Sequence, residues 1–405
     1  MRNVGFVLIL AGIVFGSFYV LRADVPPTTV TVTRTKSGFE PANLTIRAGD
    51  SVEFVSSAEA DFWPASSFHP SHQMYPEFDP KRALGSGEKW IFTFDRAGTW
   101  TFHDHLASKA IGTIVVTGES REDISDCVAS SQARIKSHCW AGLLTTIIRE
   151  KGLTPAFEKF AELYVQDPVF QQNCHDIAHV LGKAGYASFE KTGEPIVREE
   201  TSYCAYGFYH GFIEEMLIQN GSDSLSEGVR YCQAIRSNRS AVSSNVALTA
   251  TYACFHGLGH AAFDTLDGKY WGDDSNMVAH ALAACEESVP PEFLYSCGSG
   301  VFNSLAIAYS ARQYGIAFRE HDPSSICREQ EMDAQKSCYG EIAVGYIQEK
   351  HMTFDEALSF IHSLQVHKDH VIFSFIDDYV RRDMEDTRPE AVQRVCTAFL
   401  STEDA

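Results

Sequence analysis

Basic residues are scarce in this chain. Its 405 residues include 33 Lys and Arg against 53 Asp and Glu, which gives a formal charge of −20 at pH 7. Nucleic acids and anionic membrane surfaces are bound by basic surfaces, so this balance argues against both as partners. The chain also lacks a Gly-x-Ser-x-Gly elbow, a Walker loop, a dinucleotide-binding glycine pattern and a His-Glu-x-x-His motif. The commonest hydrolase, nucleotide-dependent and zinc-protease classes are therefore not indicated.

Cysteine is absent before residue 127, and all eleven cysteines lie from Cys127 to Cys396. There are no Cys-x-x-Cys pairs, which argues against Cys-ligated zinc. Cysteines spread along a long segment are typical of disulfides in an oxidising compartment. Because eleven is odd, at least one thiol stays free or pairs between chains. The spacing favours Cys127–Cys139, Cys285–Cys297 and Cys327–Cys338, with Cys232–Cys254 and Cys174–Cys204 as further candidates that would leave Cys396 over.

Charge is also absent from the 18 residues Val4 to Leu21, which lie between Arg2 and Arg22. This length is near the lower limit for spanning a bilayer and exceeds most signal-peptide cores. We therefore expect residues 1–24 to be an uncleaved signal-anchor, with the bulk of the chain in the periplasm or at the cell surface. A cleaved signal peptide, which would make the protein secreted, is the alternative.

The remainder divides into a β-rich and a helical region, which predicts a multidomain β plus α protein. Residues 28–117 contain short β-branched segments such as Thr29–Thr35, separated by Gly and Pro turns, and predict an antiparallel β-sandwich. Residues 118–126 form a polar linker. Residues 127–400 show helical periodicity, as in Phe354 to Leu364, and predict an all-α, disulfide-rich domain of helical-hairpin repeats.

The β region carries an ordered set of motifs along its whole length: Gly38-Phe39-Glu40-Pro41, Leu44 to Val52, His69, Gly87, Phe92-Thr93-Phe94, Ala97-Gly98-Thr99-Trp100, His105 and Gly112 to Val116. Together these motifs resemble the cupredoxin (plastocyanin-like) family. The resemblance implies a β-sandwich with a copper ion held between one loop histidine and a Cys-His-Met cluster. By position, His69 and His105 match the two histidine ligands.

Two departures from the family decide what such a site can do. Phe102 occupies the position of the cysteine ligand, and Ala110 occupies that of the axial methionine. Blue copper sites need the thiolate for rapid electron transfer. The sequence therefore predicts a module without blue-copper electron transfer.

Four histidines remain as candidate ligands of a metal ion in the β region: His69, His72, His103 and His105. His103 and His105 are two residues apart and project to one face of an extended segment. Imidazoles suit Cu(II), which we favour, and zinc or nickel nearly as well. We expect Asp104 to orient one of the imidazoles. In the alternative interpretation these histidines only hydrogen-bond loops of a fold that has lost its metal.

The helical region contains a degenerate repeat. Cys139, Cys204, Cys254 and Cys297 each begin a Cys-x-x-Gly motif, with looser versions at Cys174 and Cys338. The intervals between these starts are 30 to 50 residues, which is the spacing of helix-hairpin repeats. Glycine in such a motif allows a neighbouring helix to approach closely.

Three consecutive repeats carry pairs of side chains four residues apart, which one helical face can direct at a single ion. They predict a mononuclear or dinuclear metal site formed by His175, His179, His210, Glu214, His256 and His260. A hydrolytic site would use Asp176, Glu215 or Asp264 as base, and a redox site would hold Cu or Fe. The alternative is that these histidines cap helices and are satisfied by backbone carbonyls.

Three functions follow. We favour a membrane-anchored, extracytoplasmic metal-binding protein, with copper as the cofactor of the β module. The second is a metalloenzyme, redox or hydrolytic, with another metal ion in the helical domain. The third is a structural exported protein that uses both folds for adhesion or binding.

Overall fold

The computed structural model describes residues 26–57, 60–67, 72, 75, 77–117, 133–220, 225–237, 244–382, 393, 395 and 397. The expected signal-anchor at residues 1–24 and the linker at 118–126 lie outside the described residues. None of the helices in the described part of the chain is long and apolar enough to span a membrane.

The N-terminal part consists of eight strands in two four-stranded sheets. One sheet has the order β2-β1-β4-β6 and the other β3-β8-β7-β5. The strands are β1 (Thr29–Thr35), β2 (Gly38–Glu40), β3 (Asn43–Arg47), β4 (Ser51–Ser56), β5 (Pro64–Ser66), β6 (Lys89–Thr93), β7 (Gly98–Asp104) and β8 (Ala107–Thr117).

The expectation of a purely antiparallel sandwich is wrong, because both sheets are mixed. Strand β1 pairs in parallel with β4, with Thr29 opposite Ser51. Strand β3 pairs in parallel with β8, with Asn43 opposite Thr113. The chain leaves the first sheet to form β3 in the second before it returns as β4. Since β1 and β4 are therefore not joined by a hairpin, they are free to run in the same direction.

Aromatic side chains fill the space between the sheets. Val52 and Phe54 of β4 are fully buried, while their neighbours Ser51 and Glu53 are partly exposed, as the two-residue period of a half-buried strand requires. Phe102 packs in this core, with its ring centroid 4.8 Å from that of Phe39 and 5.4 Å from that of Phe54. The side chain at the family's cysteine position thus belongs to the hydrophobic core.

The C-terminal part is mostly helical. Thirteen α-helices lie in the described residues from 133 to 382: α1 (Ala133–Lys151), α2 (Leu153–Gln166), α3 (Pro168–Asn173), α4 (His175–Thr192), α5 (Tyr203–Asn220), α6 (Leu225–Ser237), α7 (Ser244–Asp264), α8 (Asp274–Ser288), α9 (Leu294–Ala311), α10 (Ser325–Arg328), α11 (Met332–Glu349), α12 (Phe354–Ser363) and α13 (Lys368–Arg382). Short 3₁₀ turns precede α5 and α9 and follow α9.

The long helices form a row in which α4, α5, α7, α9, α11 and α13 pack on one another in that order. Helix α6 packs on α7, and α8 packs on both α7 and α9. Glycines bring the helices of the row together: a Cβ at Gly259 would collide with the carbonyl oxygen of Cys297, and one at Gly300 with that of His256. Of these two glycines, Gly300 belongs to the Cys-x-x-Gly repeat motif, which therefore serves close helix packing at this position.

Disulfides join successive segments of the row. The structure has Cys174–Cys204, Cys232–Cys254, Cys285–Cys297 and Cys327–Cys338, which are four of the pairs that the sequence spacing suggests. Cys139 is also disulfide-bonded. Its expected partner Cys127, and Cys396, lie outside the described residues.

The two parts of the chain are in contact. Strand β8 packs against α5. Beside this contact, the ring of His105, just after β7, lies 5.3 Å from that of Tyr314 and 6.3 Å from that of Trp271, measured between centroids. One end of the β-sandwich is therefore closed by residues of the helical part.

Candidate metal centres

The first candidate centre is formed by His72, His103 and His105 at the end of the sandwich that faces the helices. His103 is the penultimate residue of β7, His105 follows that strand, and His72 lies between β5 and β6. A bulge interrupts the pairing of β7 with β8 at His103 and Asp104. Each imidazole offers a nitrogen within 4.8 Å of the others, and all three residues are at most 4% exposed. These three side chains can reach one ion.

Asp79, which the sequence analysis did not single out, orients His72. Its Oδ2 lies 2.5 Å from Nδ1 of His72, and its Oδ1 accepts a hydrogen bond of 2.8 Å from the indole of Trp63. Burial raises the pKa of Asp79, but the contacts with His72 and Lys81 outweigh it and hold the pKa well below its usual range. The carboxylate therefore stays ionised, and Nε2 of His72 faces the other histidines, 3.0 Å from Nδ1 of His105.

Asp104 does not have the orienting role expected for it. Its Oδ1 accepts hydrogen bonds from the backbone amides of Trp63 and Leu106, and its Oδ2 accepts one from Arg34. Asp104 therefore holds the backbone around the site in place, and these hydrogen bonds do not include an imidazole. His69, the other expected ligand, lies outside the described residues, so its role stays a prediction.

The donor set fits a metal ion but not a blue copper centre. Three buried imidazoles with a carboxylate behind one of them are a common arrangement around Cu(II), Zn(II) or Ni(II). Phe102 and Ala110, at the positions of the family's thiolate and thioether ligands, are 1% and 7% exposed and carry no donor atom. A copper ion held by three nitrogen donors and no thiolate is not a blue-copper site, the type that carries out rapid electron transfer.

The second candidate centre, termed here the five-histidine cluster, lies within the row of helices. His175 and His179 project from α4, His210 from α5, and His256 and His260 from α7. Two sets of three nitrogens meet the geometry of a metal site, one with His175, His179 and His210, the other with His210, His256 and His260. His210 is the member common to both sets.

Close backbone contact brings α4 and α5 to this distance. A Cβ at Gly207 would collide with the carbonyl oxygen of His175, and one at Gly211 would collide with the backbone of His179. Because Gly207 and Gly211 carry no side chain, the backbones of α4 and α5 approach each other more closely than larger residues would allow. The imidazoles of α4 can then touch the imidazole of α5.

Each histidine on α4 has an outer hydrogen-bond partner on α5. Nδ1 of His175 donates to the carbonyl oxygen of Cys204, at 2.9 Å. That carbonyl belongs to a left-handed turn at residues 204–206, a strained conformation for non-glycine residues, which the disulfide to Cys174 ties to the start of α4. Nδ1 of His179 lies 3.4 Å from Oε2 of Glu214. Glu214 thus contacts His179, and its expected role as a ligand stays a prediction.

The histidines on α7 also have outer partners, which are serines backed by carboxylates. Nδ1 of His256 lies 3.1 Å from Oγ of Ser299, whose hydroxyl donates to Glu341 at 2.5 Å. Nδ1 of His260 lies 2.8 Å from Oγ of Ser304, which is 3.3 Å from Asp264. Their Nε2 atoms face each other at 3.1 Å. No sequence motif marked the two serines or Glu341, since they become neighbours only through the packing of α9 and α11.

The cluster favours neutral imidazoles. Burial, and then the neighbouring histidines, lower the pKa of His256 to about 4 and those of His210 and His260 well below their usual range. Burial also raises the pKa of Asp264 well above its usual range. Neutral imidazoles are the form that binds metal, so protons compete little with an ion at neutral pH.

Of the three carboxylates expected as bases, Asp264 is the one linked to a histidine of the cluster through a single hydroxyl group. Asp176 is exposed, and Glu215 accepts a hydrogen bond from Gln219. Asp264 is linked to His260 through Ser304. If the cluster performs acid–base chemistry, Asp264 is therefore the expected carboxyl group.

Comparison with known proteins gives matches among solved structures. No protein-family model matches the chain, and no curated protein sequence does. Solved structures match over a small part of it, and they are cupredoxins, the family named from the sequence motifs. A mutant amicyanin in its reduced state is 20% identical, with 22% of this chain and 82% of amicyanin covered and a TM-score of 0.20.

Two further structures give the same extent of similarity. A purple cupredoxin from Nitrosopumilus maritimus is 13% identical over 22% of this chain and 99% of its own, with a TM-score of 0.19. The oxidised plastocyanin from Dryopteris crassirhizoma is 18% identical over 22% of this chain and 100% of its own, also with a TM-score of 0.19. Scores this low carry no conclusion about activity.

Proposed function

We propose that this chain is an exported metal-binding protein whose β module holds one ion, with copper favoured, through His72, His103 and His105. The observation that carries the proposal is the convergence of three buried imidazoles within 4.8 Å of one another. Burying several imidazoles together is costly for folding unless each finds a partner, and a divalent ion satisfies all three at once. Without a thiolate, the module would capture or store the ion and would not act as a blue-copper electron carrier.

The carboxylate behind His72 supports a metal over purely structural histidines. Metal-bound histidines commonly donate their second ring N–H to a carboxylate, which fixes the ring and raises its basicity. Asp79 makes this contact at 2.5 Å and is itself held by Trp63. A histidine that only filled space in a core would not need an ionised, buried carboxylate.

We also propose that the protein works outside the cytoplasm, anchored by residues Val4 to Leu21. Four disulfides in the helical part support an oxidising compartment. The anchor is tested by fractionation of cells that express the full chain or a chain without residues 1–25. The anchored protein remains with membranes after alkaline extraction, whereas release of the full chain by that treatment would refute the anchor.

The metal site is tested on the full chain, loaded with Cu(II), passed over a desalting column and measured by elemental analysis. His103→Ala and His105→Ala are each expected to lose one copper ion per chain. His321→Ala, which removes an exposed histidine, is the matched control and should retain it. Unchanged copper in all three variants would refute the β site, and no copper in the unmodified chain would favour a purely structural protein.

A metalloenzyme is the second candidate function, favoured by Asp264 beside the five-histidine cluster. Its carboxyl reaches His260 through Ser304, and burial raises its pKa well above the usual range, so it can hold a proton at a higher pH than an ordinary aspartic acid. Under this proposal, Asp264→Asn retains the metal of the cluster but loses hydrolytic or redox turnover. Equal turnover of the variant and the unmodified chain would refute this role.

A further inference from the structure

We infer that the five-histidine cluster is a two-metal centre in which the imidazole of His210 bridges the ions through its two nitrogens. This goes beyond the proposed function, since the centre lies in the helical part and does not depend on the β site. The first ion would be held by His175, His179 and His210, and the second by His210, His256 and His260.

The position of His210 is the first argument. It projects from α5, which packs between α4 on one side and α7 on the other. Its ring centroid lies 5.0 Å from that of His175, 5.1 Å from that of His256 and 5.0 Å from that of His260. One pair of histidines thus lies on each side of this ring, and each pair completes a three-nitrogen set only with His210.

The orientation of the His210 ring is the second argument. Its Nδ1 lies 3.2 Å from Nε2 of His175, so this nitrogen faces α4. Its Cδ2, which is bonded to Nε2, lies 3.6 Å from the position that a Cβ would take at Gly257 of α7. The Nδ1 edge and the Nε2–Cδ2 edge therefore face different helices.

The positions of the protons on the His175 and His210 rings determine which nitrogen of His210 must lose a proton when the ring bridges two ions. Nδ1 of His175 donates to a carbonyl oxygen, so in the neutral ring its Nε2 is the acceptor. Nδ1 of His210 must then be the donor to it, and Nε2 of His210 carries a lone pair toward α7. An ion at Nε2 needs no proton loss. An ion at Nδ1 replaces that proton, which leaves to solvent, and the ring becomes an imidazolate with one negative charge.

Carboxylates outside the first layer of histidines supply further negative charge. Glu214 contacts His179 directly and lies 3.4 Å from Lys183, while Glu341 reaches His256 through Ser299. Two divalent ions bring four positive charges into a partly buried site, and nearby carboxylates reduce the cost of placing them there. Carboxylates stand behind both halves of the cluster, as a two-ion centre requires.

Copper counting and spectroscopy test the proposal on the full chain carrying His105→Ala, which removes the β site from the measurement. After loading with Cu(II), we expect two copper ions per chain by elemental analysis. Because an imidazolate couples the spins of two Cu(II) ions, we expect the electron paramagnetic resonance signal to account for much less copper than is bound. One ion per chain, or a signal that accounts for all bound copper, would overturn the shared centre.

Ligand variants in the same background add a second readout. His179→Ala and His256→Ala each remove a ligand from one half, so each should leave one ion that is fully visible by magnetic resonance. His210→Ala should abolish the coupling, and His321→Ala should keep two coupled ions. Persistent coupling in His210→Ala would refute the bridge. If His210→Ala does not fold, the number of copper ions bound by the His105→Ala parent still tests the proposal. This number does not depend on whether the β module binds copper, because His105→Ala already removes that site.

Discussion

His105 of the β-sandwich and Tyr314 of the helical part have their ring centroids 5.3 Å apart. The ring centroid of Trp271 lies 5.1 Å from that of Tyr314, and the ring centroid of Trp63 lies 4.4 Å from that of His105. The proposed β site is therefore enclosed by aromatic rings from both parts of the chain. An ion held there is shielded from solvent by the junction of the two parts.

This enclosure predicts that Tyr314→Ala releases the ion of the β site faster. Truncating a ring that is 6% exposed opens a cavity beside His105 and costs about 3–5 kcal/mol of stability. The rate of copper loss to a chelator should rise, while the three ligands and the stoichiometry stay the same. The copper of this site is the part that is bound by the parent chain and missing from the His105→Ala variant.

Tyr314→Phe is the matched control for that experiment. It keeps the ring but removes a buried hydroxyl that has no hydrogen-bond partner among the described residues. Leaving such a hydroxyl buried costs about 1–3 kcal/mol, so the phenylalanine variant should be at least as stable as the parent. Equal release rates in Tyr314→Ala and Tyr314→Phe would contradict shielding by this ring.

Asp79→Asn is expected to weaken copper binding without removing the ion. The carboxylate fixes the ring of His72 and increases its basicity through the 2.5 Å contact at Nδ1. Loss of such an outer partner typically lowers metal affinity about 10–100-fold. Competition with a chelator of known affinity measures the change. Asp61→Asn, at an exposed carboxylate, should bind as the parent does, and a similar loss there would deny Asp79 a specific role.

The sequence contained enough information to name the β fold and the histidines but not their partners. Periodicity predicted β1 at Thr29–Thr35 with the bounds that the structure has. The short strand β5 at Pro64–Ser66 was missed, because three residues without β-branched side chains give no periodic signal. The parallel pairs were missed as well, since strand direction depends on which sheet the chain enters next and not on local composition.

The helical cluster shows the same division. The four-residue spacing of the histidine pairs is a property of a single helix, so it was visible in the sequence. Ser299, Ser304 and Glu341 come from α9 and α11, and they meet the histidines only after the row of helices is assembled. Contacts between distant segments carry no short-range signal, which explains why the serines and Glu341 were not considered.

Gly300→Ala should destabilise the helical part and disturb the cluster. Its new methyl group would meet the carbonyl oxygen of His256, which is backbone and cannot rotate away. Overpacking of this kind costs about 1–3 kcal/mol and would push α7 away from α9. Chemical denaturation under oxidising conditions measures the stability, and elemental analysis measures the metal of the cluster.

Gly298→Ala, two residues earlier on α9, is the control for this substitution. Its Cβ would lie 3.5 Å from Oγ of Ser337 and 3.6 Å from Cδ2 of Leu282, which are ordinary contacts. Replacing a helical glycine by alanine then stabilises by about 0.5–1 kcal/mol. Comparable losses of stability at both glycines would show that close helix contact at Gly300 is not the cause.

Arg319→Met should reduce stability at neutral pH and much less in acid. Arg319 donates to Asp274 at 2.9 Å and to Glu329 at 2.5 Å. Burial raises the pKa of Asp274, but hydrogen bonds from Arg319 and Tyr309 outweigh it, and the net shift is downward. The hydrogen bond from Arg319 also lowers the pKa of Glu329.

The direction of these shifts sets the pH dependence. Carboxyl groups with lowered pKa values in the folded chain add stability above their ordinary pKa of about 4, and this contribution is lost as the pH falls through the lowered values. The variant should therefore be about 2 kcal/mol less stable than the parent at pH 7, with a smaller difference near pH 3. Arg328→Met breaks an exposed pair with Asp322 and should cost less than about 1 kcal/mol at pH 7. If the penalty for Arg319→Met were the same at pH 7 and pH 3, packing of its aliphatic chain, and not its charge, would account for the role of Arg319.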